Sequence, residues 1–212
     1  MVAPGAVHLP GWLTAAEQRA LVVACRRWAR PPGGLRTVTL PAGGTMSVQI
    51  VCLGWDWTPY RYRRTLADGT PVKPFPPELG RLGRRAVADA TGMTEMTGVG
   101  VEYDPDVALV NYYRPDARMG MHRDREERVG APVVSVSLGD AAVFRFGNPR
   151  TRNRPWVDVK LASGDLFVFG GESRWCYHGV TRLLPDTAPA GCGIAGGRLN
   201  ITLRVSGLTE AR

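Results

Sequence analysis

Three side chains of this sequence have the types and spacing to hold a metal ion. His122-Arg-Asp124 puts an imidazole and a carboxylate two positions apart, and in extended backbone that spacing sends both to one side of the chain. His178 follows later, beyond a strand-like segment at 165–169. Two histidines and one carboxylate can occupy one face of a coordination sphere and leave the other positions open, the arrangement of non-haem Fe(II) oxygenases. A His-x-Asp pair alone recurs often by chance, so its weight depends on its company. The chain has one other histidine, His8, for which the sequence offers no role. The four cysteines (Cys25, Cys52, Cys176, Cys192) show no metal spacing and read as reduced structural thiols.

The last strand-like segment supplies a second constellation. In Arg198-Leu-Asn-Ile-Thr-Leu-Arg204, Leu199, Ile201, Leu203 and the following Val205 alternate with Arg198, Asn200, Thr202 and Arg204. Period two sends the aliphatic set to one face of a sheet and both arginines with Asn200 to the other. Arginines turned inward need anionic partners, because an unpaired buried charge is very costly. A dicarboxylate such as 2-oxoglutarate would bring two, each matched to a guanidinium fork. Taken alone, the pattern also fits a solvated strand face. Beside His122, Asp124 and His178 the inward reading is the stronger.

Periodicity gives the elements that must position these groups. Thr14-x-x-Glu17, with Leu13 before it, is a capping box, and Leu21, Cys25 and Trp28 continue one apolar face until Pro31-Pro32 stops the helix. A second helix starts near Pro77, turns Leu79, Leu82, Ala86, Val87 and Ala90 inward, and ends at Gly92. Segments 46–53, 106–113, 132–138, 141–146, 156–161, 165–169 and 198–205 are short, β-branched or aromatic, and bounded by Gly, Pro or Asp. Such a run predicts a mainly β fold with flanking helices, a sandwich or jelly roll with the helices on one outer face.

Composition sets the outer limits. A chain of 212 residues with 44% hydrophobic and 22% charged residues suits one globular domain. Its 26 glycines and 17 prolines favour a loop-rich β fold over a helix bundle. No apolar run is long enough for a membrane helix, and the first residues lack the regions of a signal peptide, so a cytoplasmic location is expected. Basic residues outnumber acidic ones 27 to 19, which raises affinity for polyanions and points to nucleic acid. All but Lys73 and Lys160 are arginine, a bias that genome composition alone also produces.

Asn111-Tyr-Tyr113, His122-Arg-Asp124, Pro132-Val-Val-Ser-Val-Ser-Leu-Gly139, Gly170-Gly-Glu-Ser-Arg174, Tyr177-His-Gly179 and the Arg198–Arg204 segment occur in an order and spacing that resembles the bacterial AlkB family. The resemblance runs from about residue 46 to 207. It implies a double-stranded β-helix (jelly roll) core over about 106–207, carrying over residues 1–105 the N-terminal helices and a nucleotide-recognition lid, all one domain. It implies Fe(II), 2-oxoglutarate and O2 as cofactor and co-substrates, with His122, Asp124 and His178 as iron ligands. Asn111 and Tyr113 would contact 2-oxoglutarate, and Arg198, Asn200 and Arg204 would hold its carboxylates. In the lid, Leu53-Gly-Trp55 resembles the family's Leu-Gly-Trp, so Trp55 would stack on a flipped-out base, with Tyr62 near its phosphate. Glu126 would face the base's exocyclic amine, and Arg152 would help hold the nucleotide.

The implied activity is oxidative demethylation of 1-methyladenine or 3-methylcytosine in DNA and in RNA, releasing formaldehyde, succinate and CO2, in alkylation repair. Single-stranded DNA, a monomeric enzyme and no membrane partner are expected. Bland readings stand beside these roles: Trp55 as a core tryptophan, and Glu126 as one solvated charge among Arg123, Arg125, Glu127 and Arg128. Arg63 and Arg64 depart from the lid pattern of the family. A 2-oxoglutarate-dependent hydroxylase of a protein or small molecule is the alternative, followed by a catalytically silent nucleic-acid-binding protein.

Overall fold

A computed structural model describes residues 1–41, 43–59, 61–92 and 103–208. Along the chain come β1 (Ala6–Leu9), α1 (Ala15–Trp28), β2 (Arg36–Thr39), β3 (Thr45–Leu53), β4 (Asp56–Thr58), β5 (Arg61–Arg63) and α2 (Pro77–Thr91). There follow β6 (Val107–Tyr113), β7 (Met119–His122), β8 (Val133–Gly139), β9 (Ala141–Phe146), β10 (Val157–Leu161), β11 (Leu166–Phe169), β12 (His178–Leu184) and β13 (Arg198–Arg204). A seven-stranded sheet in the order β1-β11-β8-β13-β6-β3-β2 faces a four-stranded sheet in the order β10-β9-β12-β7, and β4 with β5 makes a separate ribbon. Every strand pair is antiparallel, giving the jelly roll that the strand pattern predicted.

The alternation in each strand divides the interior in two. On the outer face of the large sheet, Val110, Val134, Val136, Ile201 and Leu203 pack under the two helices. Between the sheets, Phe144, Phe146, Phe167 and Phe169 form an aromatic cluster with Ile50 and Leu109. The helices therefore cover one sheet face, and the other face is left for the site.

Helix α1 begins as its sequence signal requires. Thr14 N–H donates to Glu17 Oε2 at 2.8 Å, while Glu17 N–H donates to Thr14 Oγ1 at 3.3 Å. Its buried stripe is Gln18, Val22, Cys25 and Trp28, and Leu21 sits half-buried at the margin. The stripe is rotated because Gln18 is satisfied inside: its amide donates to the Leu13 carbonyl, and its oxygen accepts from Ser163 Oγ at 2.7 Å. Helix α2 buries Leu79, Ala86, Val87 and Ala90, and Gly83 lets it approach so closely that a Cβ there would lie 2.9 Å from the Tyr103 ring.

His8 proves to have a structural role. Its Nε2 meets Asp165 at 2.8 Å, and Asp165 also accepts from the backbone N–H of Gly11 and Ala162. This clasp fastens β1 to the turn before β11, its partner at the edge of the large sheet.

Candidate metal and anion site

Strands β7 and β12 pair so that His122 and His178 stand directly opposite. Their rings are 4.5 Å apart between centroids. Asp124 follows β7 in the next loop, with its two oxygens 3.7 Å from His122 Nε2 and 3.6 Å from His178 Nε2. The three donor atoms lie within 4.8 Å of one another, the one such group among the described residues. Each Nδ1 faces a backbone carbonyl, His122 that of Gly120 at 2.9 Å and His178 that of Cys176 at 3.1 Å. A carbonyl can only accept, so each Nδ1 carries the proton and each Nε2 lone pair is turned toward the cluster. Burial pushes the His178 imidazole down to about 4 and so keeps it neutral at pH 7. Burial would push the Asp124 carboxyl up, but the Arg204 guanidinium outweighs it and holds the carboxyl well below the usual carboxylate range. Two imidazole Nε2 atoms and an ionised carboxylate, all turned to one point, form a donor set that fits a divalent metal ion.

The facing sheet supplies the cations. On β13, Arg198, Asn200, Thr202 and Arg204 turn between the sheets, as the period-two reading predicted, and all are buried. Asn200 pairs with Asn111 on β6 at 3.3 Å and with Ser135 on β8 at 2.8 Å. Arg198 donates to Ser137 Oγ at 2.7 Å and to the carbonyls of Leu161 and Asp140 at 3.3 and 3.5 Å, and it forms no ion pair among the described residues. Burial pulls its pKa from 12.5 to about 10. Arg204 is surrounded by acids: Asp124 at 2.7 Å, Glu127 at 3.1 Å and Glu126 at 3.9 Å. The Nε of both arginines is buried without a hydrogen-bond partner. Orphaned buried donors on a strand that walls a cleft fit a bound carboxylate ligand.

Histidines, acid and arginines line one cleft of about 720 Å³ between the sheets. Asn111 and Tyr113 line it as well, with burial pushing the Tyr113 phenol up to about 12. Glu126 and Arg152 stand on its wall, Glu126 with only 8% of its side chain exposed, so it is not a solvated loop charge. Burial pushes the Glu126 carboxyl up, against the pull of Arg204.

Two lid residues stand elsewhere than expected. Trp55 is buried outside the cleft, its indole N–H on Asp106 at 2.9 Å and the Arg64 guanidinium 3.7 Å over its ring. Trp57, two residues on, lines the cleft in its place. The cause is local: Gly54 has φ +82°, and a Cβ there would lie 2.0 Å from the Asp106 carbonyl oxygen, so the chain turns sharply at this glycine. Tyr62 is not free to meet a phosphate, because its hydroxyl donates to Glu127 at 2.5 Å and accepts from Arg204 Nη1 at 3.0 Å.

Sequence reasoning passed over Glu127, Arg174, Ser135 and Ser137. Glu127 is fully buried against Arg174 at 2.9 Å, and Arg174 also donates to the carbonyls of Asp124 and Ala131 at 2.9 and 2.7 Å. The serines had a signal: Val-Ser-Val-Ser-Leu on β8 alternates as β13 does. Nothing in the charged run 123–128 sets Glu127 apart from its exposed neighbours.

The sequence profile of the 2OG-Fe(II) oxygenase superfamily matches residues 5–204. The "Alpha-ketoglutarate-dependent dioxygenase AlkB homolog" of Caulobacter vibrioides is 41% identical over 96% of this chain and 88% of its own length. The "DNA N(6)-methyladenine demethylase ALKBH1D" of Arabidopsis thaliana is 32% identical over 96% of this chain, which spans about half of that relative. Among solved structures, "The structure of OsALKBH1" superposes with a TM-score of 0.85 at 32% identity, covering 96% of this chain and 99% of that one.

Proposed function

Because the chain belongs to the 2OG-Fe(II) oxygenase superfamily, and within it to the AlkB dioxygenases, we propose that it is an iron- and 2-oxoglutarate-dependent demethylase of nucleic-acid bases. The observation that carries this reading is the convergence of His122, Asp124 and His178 opposite buried Arg198 and Arg204 in one cleft. His122, Asp124 and His178 would hold Fe(II). Arg198 and Arg204, with Asn111, Tyr113 and Asn200, would hold 2-oxoglutarate. Bound iron with that keto acid and dioxygen supplies the oxidation, by which an N-methyl group leaves as formaldehyde while succinate and CO2 form.

The chain's own contribution is placement. His122, His178 and the ionised Asp124 would hold the metal from one wall of the cleft, and Phe144 and Phe169 pack against the His178 ring and fix its orientation. Trp57, in the role first expected of Trp55, would stack on the base, and Glu126 would lie near its exocyclic amine. A cationic base such as 1-methyladenine or 3-methylcytosine is favoured there by charge. Arg152 would take a phosphate. The methyl sits on the Watson–Crick edge, so the base must leave the stack or come from a single strand. Single-stranded DNA as the preferred substrate, acceptance of RNA, repair as the purpose, and a monomer working in the cytoplasm complete the proposal. No helix among the described residues is long and apolar enough to cross a membrane.

The test is mass spectrometry of a single-stranded oligonucleotide carrying one 1-methyladenine after incubation with enzyme, Fe(II), 2-oxoglutarate and air. Loss of the methyl that requires the keto acid and fails in His122→Ala is the expected result. Succinate without methyl loss would overturn the substrate and point to a hydroxylase of another molecule.

A further inference from the structure

Arg204 is held by more than the metal site requires. Its Nη2 binds Asp124, while Nη1 is shared between Glu127 and the Tyr62 hydroxyl. Glu127 is in turn fixed by Arg174, which also grips the carbonyls of Asp124 and Ala131 at the two ends of the loop that carries Glu126. Tyr62 belongs to β5 and stands directly opposite Trp57 of β4 across the two-stranded ribbon. An unbroken run of hydrogen bonds thus leads from the ribbon that walls the cleft, through Tyr62 and Glu127, to Arg204 and Asp124.

We propose that Tyr62 and Glu127 are positioning residues that fix the Arg204 guanidinium for the keto acid and tie the β4–β5 ribbon to it. This rests on the demethylase reading for the identity of the keto acid. Without the Tyr62 hydroxyl and the Glu127 charge, Arg204 has only Asp124 and the more distant Glu126 to orient it. Its side chain then gains rotamer freedom that keto acid binding must remove. The ribbon loses the Tyr62 bond to the arginine at the same time. The contact also runs in both directions: a keto acid that steadies Arg204 steadies Tyr62, and with it the strand opposite Trp57.

The experiment measures binding, not turnover. Titration calorimetry under anaerobic conditions, with Mn(II) in the metal site, gives the affinities for Mn(II) and for 2-oxoglutarate in wild type, Tyr62→Phe and Glu127→Gln. Tyr62→Phe removes a single oxygen, and Glu127→Gln keeps the shape while removing the charge and turning one acceptor oxygen into a donor amide, so both retain the packing. Tyr62→Phe is expected to weaken 2-oxoglutarate about tenfold and Glu127→Gln more, with Mn(II) affinity in Tyr62→Phe within about twofold of wild type. Hydrogen exchange of ribbon amides is expected to slow when 2-oxoglutarate binds the wild type and not when it binds Tyr62→Phe. Unchanged 2-oxoglutarate affinity in both variants would overturn the proposal, as would equal loss of Mn(II) and keto acid binding in Tyr62→Phe, the mark of a general structural role. Neither measurement involves nucleic acid, so a wrong base substrate leaves them untouched and shows only in the demethylation assay.

Discussion

Replacing Arg198 with methionine should leave the ligand-free protein at least as stable as wild type while removing its response to 2-oxoglutarate. Arg198 is 1% exposed and has only neutral acceptors, Ser137 and two backbone carbonyls. Burial pulls its pKa from 12.5 to about 10, with Tyr113 and Asp165 partly offsetting the fall. Each unit is worth about 1.4 kcal/mol, so the folded chain carries a penalty of roughly 3 kcal/mol for holding this charge at neutral pH. The sign follows from the direction: a cation whose folded pKa is depressed destabilises the fold at every pH below both values, and relief begins only as pH rises past the folded one. Methionine fills a similar volume without the charge. It forfeits the bond to Ser137 and the two longer ones to the carbonyls, which together cost about 2 kcal/mol, so the expected net gain is about 1 kcal/mol. A bound dicarboxylate reverses the balance in wild type, where a ligand at a hundred times its Kd adds about 2.7 kcal/mol. The assay is urea denaturation of both proteins with Mn(II), with and without 2-oxoglutarate, in the absence of oxygen. An Arg198→Met protein that unfolds more easily than ligand-free wild type would refute the reasoning, because the arginine would then be structurally satisfied. So would 2-oxoglutarate stabilising the variant as it stabilises wild type.

Other expectations follow from neighbouring contacts. Trp57→Ala should weaken oligonucleotide binding by about tenfold or more with little change in melting, as lost base stacking does, whereas Trp55→Ala should cost about 3 kcal/mol or more of stability. Fluorescence anisotropy and thermal melts of the two variants separate these outcomes. Asp124→Asn should abolish Mn(II) binding by calorimetry, because the amide brings no negative charge to the two imidazoles or to Arg204. Asp165→Asn should lower stability by about 2 kcal/mol by loosening the His8 and Gly11 bonds. Burial raises the Asp165 carboxyl, but His8 and two backbone amides lower it more, so its contribution is present above the unfolded value near 4 and is lost as pH falls below it. Acid unfolding of the wild type should accordingly begin at lower pH than that of a His8→Ala chain, followed by circular dichroism.

Much of this is legible in the sequence where a period or a local signal exists. The alternation of β13, read beside His122, Asp124 and His178, puts Arg198, Asn200 and Arg204 on the inward face, and the capping box fixes the start of α1 at the residue. Elements too short to show a period escape such reading: β4 and β5 have three residues each, and β1 and β7 four. The tryptophan assignment fails for a different reason. Whether Trp55 or Trp57 faces the cleft turns on the reversal at Gly54, and that reversal is set by the Asp106 carbonyl, far along the chain. Glu127 is the sharpest case. Its burial is compensated by Arg174 and Arg204, 47 and 77 positions away, and no pattern within residues 123–128 encodes such partners.

The same distance effect makes two alike arginines different. Arg198 and Arg204 share a strand, a face and a residue type, and the sequence pattern treats them as a matched pair. Arg204, however, reaches the end of β13 beside the loop after β7, where Asp124, Glu126 and Glu127 already surround it. Arg198 lies at the other end, among serines and carbonyls of β8 and its neighbours, with no acid at ion-pair distance among the described residues. A ligand carboxylate therefore gains most at Arg198, where it neutralises a charge that nothing else does, and least at Arg204, where it competes with three carboxylates. Arg204 contributes direction instead, because its acids leave its Nε as the free donor at that end of the cleft. A keto acid is unsymmetrical, with one carboxylate beside the reacting carbonyl and one remote from it. A strand that offers one end of strong charge without an acid at ion-pair distance and one end of fixed geometry next to Asp124 would accept such a molecule in one orientation only, with the remote carboxylate on Arg198.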